Sequence, residues 1–343
     1  MATSRKVRVT SFDVAALAGV SQSTVSRALS GDQSISEATR LRVSEAARQL
    51  DYFGNENAIR LRTGRTNTLA VVVVCREEED RKDVNPFHYS LLGSICAAAS
   101  AKRYEVLVSF QSTRDTLFAH YQDQRKADGL IVIGTTENRT AWDYFRSQHD
   151  SISWVCWGSP FDELEWIRSD NHQGGMLATR HLLDQGYRNI ACITSLDSPQ
   201  KQFAERYEGY AQVMREAGLE PWLCPIEEGF AREEQGRRAV RQLAESGRSL
   251  DAVFVVSDLI ALGSLAELHD RGIAVPSEVG IAGFDALRSG AYCSPPLTSL
   301  EPDFDLAGKM LVENLLMVME GEHSESRRVP VQLLVRGSTA RRT

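Results

Sequence analysis

The chain has 343 residues with 39 lysines and arginines against 46 aspartates and glutamates, too long for one ordinary domain, and with neither an export signal near Met1 nor an apolar run of membrane-spanning length. The charge divides unevenly: residues 1–66 hold 10 basic and 6 acidic side chains, which leaves the remainder at −11 and suits a chain that meets phosphates through its head alone. Six cysteines, at 75, 96, 156, 192, 224 and 293, lack metal or redox spacing, so the expectation is a cytoplasmic protein with free thiols, no metal site and no cofactor.

Residues 10–29 predict two short helices joined by a turn. Val14, Ala15, Leu17 and Ala18 give the first an apolar face, and Thr10 caps it with Asp13 placed to answer. Gly19 breaks it where a left-handed residue is needed. Ser21 caps the second helix, in which Val25, Ala28 and Leu29 face inward. Gln22, Ser23, Thr24, Ser26 and Arg27 remain outside, a hydrogen-bonding face with almost no carboxylate, suited to a DNA major groove. Arg27 matches the paired acceptors of guanine and Gln22 those of adenine; Ser23 reads little and Ser26 meets phosphate only.

The run 13–29 resembles the DNA-binding headpiece of the LacI/GalR family of bacterial transcription repressors. Residues 31–51, with Ser36 as a cap, resemble that family's third helix, and 55–68 its hinge; similar matches continue to Arg336-Gly337-Ser338-Thr339. The resemblance implies that two hinges fold together in the minor groove of a palindromic double-stranded operator, with Leu61 wedged into the central base step and Asn55 and Arg62 beside it. Ile59 departs from the arginine usual there.

From residue 69 onward short apolar strands alternate with amphipathic helices. Strands are expected at 69–75, 105–110, 129–133, 152–157, 189–194, 252–256 and 280–284, and helices at 89–102, 174–185, 203–217 and 231–246. Continuous apolar strands belong to parallel sheets covered on both faces, hence a doubly wound α/β body. The resemblance implies a two-lobed, periplasmic-binding-protein-like body behind an all-α helix-turn-helix headpiece. Its divisions fall at 1–53 for the headpiece, 54–68 for the hinge, 69–168 with 300–328 for the first lobe, and 169–299 with 329–343 for the second.

Ligands of such folds bind at the carboxyl ends of the strands. Asp285 falls at such an end, and its carboxylate suits a pair of sugar hydroxyls. By resemblance, Arg206 in Arg206-Tyr207-Glu208-Gly209-Tyr210 is the effector-contacting arginine, and Ser257-Asp258 replaces an Asn-Asp pair. Phe304, Phe87 and Phe230 match aromatic walls, His88 stands where a second aromatic is common, and Gln202 and Trp157 complete the set. Tryptophan packs well on the C–H face of a sugar, which favours a saccharide effector; purines and nucleosides stay open.

An enzyme would need a supported nucleophile or acid–base group; no Gly-x-Ser-x-Gly, phosphate loop or Cys-x-x-Cys occurs. A transport receptor would lack the head, and an architectural DNA binder would not need the body. The expectation is a homodimeric, effector-controlled transcription factor that represses, with no membrane partner.

Overall fold

A computed structural model describes residues 9–29, 32–52, 65–77, 84–161 and 163–340. The chain forms two compact units, Met1–Asn67 and Thr68–Thr343.

In the first unit, helices α1 (Ser11–Ala18), α2 (Gln22–Leu29) and α3 (Glu37–Gln49) enclose a small core of Val14, Ala15, Ala18, Val25, Ala28, Ile35, Val43, Ala46 and Ala47. The Asp13 carboxylate accepts from both the backbone N–H and the hydroxyl of Thr10, each at 2.7 Å. Gly19 takes a left-handed φ of 63°, and Val20 N–H closes the turn on the Ala15 carbonyl at 3.1 Å. Ser36 Oγ caps α3 by accepting from Thr39 N–H at 3.3 Å. Leu17 is a correction: it is 51% exposed. At 100° per residue it lies well off the stripe set by Val14, Ala15 and Ala18.

The second unit contains β1 (Thr68–Val74), α4 (Pro86–Ala101), β2 (Glu105–Gln111), β3 (Gly129–Gly134), α5 (Arg139–Ser147), β4 (Trp154–Trp157) and β5 (Trp166–Ser169). It continues with α6 (Asn171–Asp184), β6 (Ile190–Thr194), α7 (Lys201–Glu216), β7 (Trp222–Pro225), α8 (Arg232–Glu245), β8 (Ala252–Val255) and α9 (Asp258–Asp270). Then come β9 (Gly280–Phe284), the short α10 (Arg288–Ala291), β10 (Thr298–Pro302), α11 (Phe304–Met319), β11 (Arg327–Val329) and β12 (Val331–Leu334). Two six-stranded sheets result, ordered β11-β5-β4-β3-β1-β2 and β12-β10-β9-β8-β6-β7. Among the described residues every pairing is parallel except β10 with β12. All seven residues of β1 are buried, as a central strand covered on both faces requires.

The chain passes between the sheets three times. The passages fall at Asp170, Asp303 and Pro330, one to three residues beyond the expected divisions, because β5, β10 and β11 keep pairing to residues 169, 302 and 329. Two backbone bonds stitch the passages together: Asp170 N–H to the Val329 carbonyl at 2.8 Å, and Asp303 N–H to the Pro330 carbonyl at 3.1 Å. The tail is tied to the second sheet. Ser338 Oγ donates to the Ile281 carbonyl at 2.6 Å and accepts from Thr298 N–H at 2.8 Å.

Helices α6 and α7 touch backbone to backbone. A β-carbon at Gly175 would overlap the Arg206 carbonyl, and one at Gly209 would overlap that of His172. This approach fixes the depth at which Arg206 sits. Gly175→Ala is therefore expected to push α7 outward and cost about 1–3 kcal/mol by overpacking; equilibrium denaturation of the variant beside the parent measures it.

Candidate functional site

In the headpiece, Gln22, Ser23 and Arg27 are exposed while Thr24 and Ser26 are half-buried. Ser21 Oγ accepts from Thr24 N–H at 3.1 Å and lies 2.8 Å from the Ser23 and Thr24 hydroxyls. The Gln22 amide donates to Ser11 Oγ at 3.2 Å, tying the reading helix to α1. No residue of α2 is acidic, so its N-terminal dipole and Arg27 give it a face with the chemistry suited to phosphates and base acceptors. Asn55, Leu61 and Arg62 lie outside the described residues.

In the body, the carboxyl ends of both sheets face a shared cleft. It collects Phe87, His88, Trp157, Gln202, Arg206, Ser257 and Asp285 from the expected set. Arg206 is the best-held of these. Its Nε donates to Asn171 Oδ1 at 2.9 Å, a terminal nitrogen donates to the Val256 carbonyl, and Asp285 Oδ1 lies 3.5 Å away. The guanidinium also rests on the Phe284 ring, 3.4 Å from its centre. Burial lowers its pKa to about 10, against the pull of Asp285, Glu205 and Asp258, so it stays charged at neutral pH.

Asp285 is aimed by unusual backbone: φ is 111° there and 52° at Ala286. Its N–H bonds the Leu300 carbonyl at 2.9 Å, and Ala286 N–H bonds Ser299 Oγ at 3.0 Å. Ser257 Oγ donates to the Asp285 carboxylate at 3.1 Å. Burial raises the Asp285 pKa, while Arg206, Ser257 and Asn85 oppose the rise.

His88 is held neutral, with burial lowering its pKa to about 4. Its Nδ1 and Thr136 Oγ1 are buried without a hydrogen-bond partner among the described residues, and both residues line the cleft.

Three expected residues do not line this cleft. Asp258 lies beneath its floor, accepting from Leu287 N–H and Ser299 Oγ, both at 2.7 Å. Phe230 is 38% exposed in the loop before α8, covered by the Arg238 guanidinium 4.0 Å from its ring centre. Phe304 stands behind the wall, its ring 5.2 Å from that of Phe87, because it opens α11 on the far side of the second passage. Sequence reading missed Arg76, Asn85, Thr136, Arg168, Asn171 and Arg232, all on the cleft. Arg76 and Arg168 sit at or just past strand ends and Arg232 opens α8, so a search of every strand end and helix start would have found them.

The lobes also meet through ions. Glu137 of the first lobe accepts from Arg76 of the same lobe and from Arg232 of the second, both at 2.5 Å. Glu205 of the second lobe bonds Arg168 at 2.8 Å and Arg328 at 3.1 Å, both in the first sheet.

A helix-turn-helix with a carboxylate-free reading helix, followed by a two-lobed binding body, defines a DNA-binding transcription regulator. Residues 12–55 match the family described as bacterial regulatory proteins, lacI family, and residues 179–339 match the periplasmic binding protein-like domain. The chain is 30% identical to the HTH-type transcriptional repressor CytR of Escherichia coli (strain K12), over 98% of each chain. It is 31% identical to the HTH-type transcriptional regulator CelR of Thermobifida fusca, over 97% of this chain and 99% of that one. A solved CelR–cellobiose complex superposes with a TM-score of 0.67 at 27% identity, covering 96% of this chain and all of the other. The chain belongs to the LacI family of bacterial regulatory proteins, which are regulators rather than enzymes. Among the described residues no helix is long and apolar enough to cross a membrane.

The Asp258 carboxyl has its pKa raised to about 8, first by burial and then by neighbouring Asp285. The folded state thus keeps a proton that the unfolded chain releases above about pH 4, and stability falls as pH rises from there toward 8. Asp258→Asn removes this slope. Thermal unfolding from pH 5 to pH 8 should show the parent losing several degrees relative to the variant.

Proposed function

We propose that the chain is a cytoplasmic, homodimeric repressor that binds a palindromic operator through its headpieces and is controlled by a small polyhydroxylated effector, a sugar or sugar derivative, held between the lobes. The observation that carries the effector reading is the buried Arg206–Asp285 pair, 3.5 Å apart in a cleft that Trp157 and Phe87 also line. A carboxylate and a guanidinium side by side hydrogen-bond a pair of neighbouring hydroxyls from both sides, and an aromatic wall takes the apolar face of a ring. The cellobiose bound by the CelR relative supports a carbohydrate. Control follows if the effector binds one arrangement of the lobes more tightly than another, since only differential affinity shifts an equilibrium.

The test uses an operator selected from random duplexes by the purified protein, and an effector found by thermal-shift screening. Asp285→Asn and Arg206→Ala are expected to abolish the effector response, each losing about 2 kcal/mol or more of effector affinity, while operator affinity changes little. Effector affinity unchanged by calorimetry in both variants would remove the pair from the site. In the headpiece, Arg27→Ala should cost about 1–3 kcal/mol and relax preference at one base pair per half-site; equal weakening on every sequence would make Arg27 a phosphate contact instead.

A further inference from the structure

Asp258 opens α9 fully buried, behind the cleft lining rather than on it. Its Oδ2 accepts from Leu287 N–H and its Oδ1 meets the Ser299 hydroxyl, both at 2.7 Å. That same hydroxyl oxygen accepts from Ala286 N–H at 3.0 Å, while Asp285 N–H is held by the Leu300 carbonyl at 2.9 Å. Three consecutive N–H groups of the turn after β9 are thus tied, one by Asp258 directly and one through Ser299. The turn needs these ties. Its φ values of 111° at Asp285 and 52° at Ala286 persist only where the surroundings enforce them.

The setting also decides the charge of the Asp258 carboxyl. The titratable and charged groups that face it are Asp285 from the turn, Arg206 from α7, Arg336 from the tail and the Cys293 thiol from the segment after α10. Arg206 serves Asn171, the Val256 carbonyl and Asp285, and Arg336 donates to the Leu297 carbonyl at 2.6 Å. Burial pushes the thiol up, so it stays neutral. The backbone closes in on both oxygens: a β-carbon at Gly283 would lie 2.2 Å from Oδ1, and one at Gly290 3.7 Å from Oδ2. Burial, and then neighbouring Asp285, raise the Asp258 pKa to about 8. In the acid form the carbonyl oxygen still accepts from Leu287 N–H, and the O–H donates to Ser299 Oγ, so both ties survive. Asp285 is then left as the ionised carboxylate beside Arg206.

We infer that Asp258 is a positioning residue of the effector site: its neutral carboxyl is the footing of the turn that aims Asp285, and a sugar held against Asp285 and Arg206 favours the protonated form. This rests on the reading of the cleft as the effector site. The linkage has a definite sign. Releasing the turn hydrates Asp258, which then ionises at its ordinary value of about 4, so rising pH favours release. Closing the lobes over a sugar removes water above Asp285 and makes a second buried negative charge costlier. Sugar binding therefore takes up a proton once the pH passes about 8, and weakens from there upward.

Hydrogen exchange of the full chain, followed by mass spectrometry at pH 7 and pH 9 and corrected for the intrinsic rate, reads the turn without any ligand. Protection of residues 285–287 in the parent should fall about tenfold over that interval, the effect of one proton on a group that titrates near 8 when held and near 4 when released. Asp258→Asn, whose amide accepts from Leu287 and donates to Ser299 as the acid does, should remove that loss. No loss in the parent, or the same loss in the variant, overturns the inference. So does equal loss in β9 and the turn, which would make Asp258 a support of the fold at large. Calorimetry with cellobiose, a sugar with no titrating group in this range, reads the cleft. Its affinity for the parent should weaken by up to about tenfold from pH 7 to pH 9 and stay level in Asp258→Asn. Arg206, with its pKa of about 10, is present in both proteins and cancels in the comparison. Affinity for the parent that holds steady with pH overturns the linkage. Cellobiose that binds at neither pH would count against the carbohydrate reading alone, and the exchange result would still decide the role of Asp258.

Discussion

A guanidinium withdrawn from water must be surrounded by acceptors or by a carboxylate, or the fold pays several kcal/mol. Arg206 is withdrawn almost completely, and much of the second lobe is arranged around it. Asn171 supplies an acceptor from the first turn of α6, Val256 a carbonyl from the end of β8, and Asp285 a carboxylate from the end of β9. The glycine contact between α6 and α7 makes that depth reachable, because any side chain at Gly175 would meet the Arg206 backbone. The positive φ values at Asp285 and Ala286 turn the carboxylate toward the arginine.

The same residue links the cleft floor to the passages between lobes. Asn171 accepts from Arg206 and donates to Glu205 at 2.9 Å, and Glu205 holds Arg168 and Arg328 of the first sheet. A ligand that pulls on Arg206 or Asp285 therefore acts on a network that already joins the two lobes. The Arg76–Glu137–Arg232 group gives a second connection. Both connections are ionic and partly exposed, the kind of contact that can exchange partners without breaking a hydrophobic core. The cores themselves lie on the faces of the two sheets.

Most of the fold was legible in the sequence because its central strands are continuous apolar runs. TLAVVVV and GLIVIG have no reading other than strands covered on both faces. The strands that sequence reading passed over are short and interrupted: WIRS, WLCP, TSLEP, RRV and VQLL each carry a charge, a proline or a polar residue. What makes them strands is pairing with a neighbour distant in sequence, as β11 pairs with β5, which no local pattern contains. The site divided in the same way. Arg206 was readable by resemblance, and Asp285 and Trp157 by their places at strand ends. Phe304 and Phe230 were misplaced because position along the chain does not say which side of a wall a ring occupies. Asp258 was misplaced because a buried carboxylate can serve the backbone of its own lobe, here Leu287, rather than a ligand. Glu137 was missed because its partners lie 61 and 95 residues away.

The central claim is that the cleft and the headpiece share one equilibrium, and reciprocity tests it most directly. Operator affinity is measured with and without the screened effector at saturation, and effector affinity with and without saturating operator, in one buffer at one salt concentration. Linkage requires the two ratios to be equal, and the account predicts the same factor, different from one, in both titrations. A factor of one in both, with operator and effector each bound tightly, would contradict it.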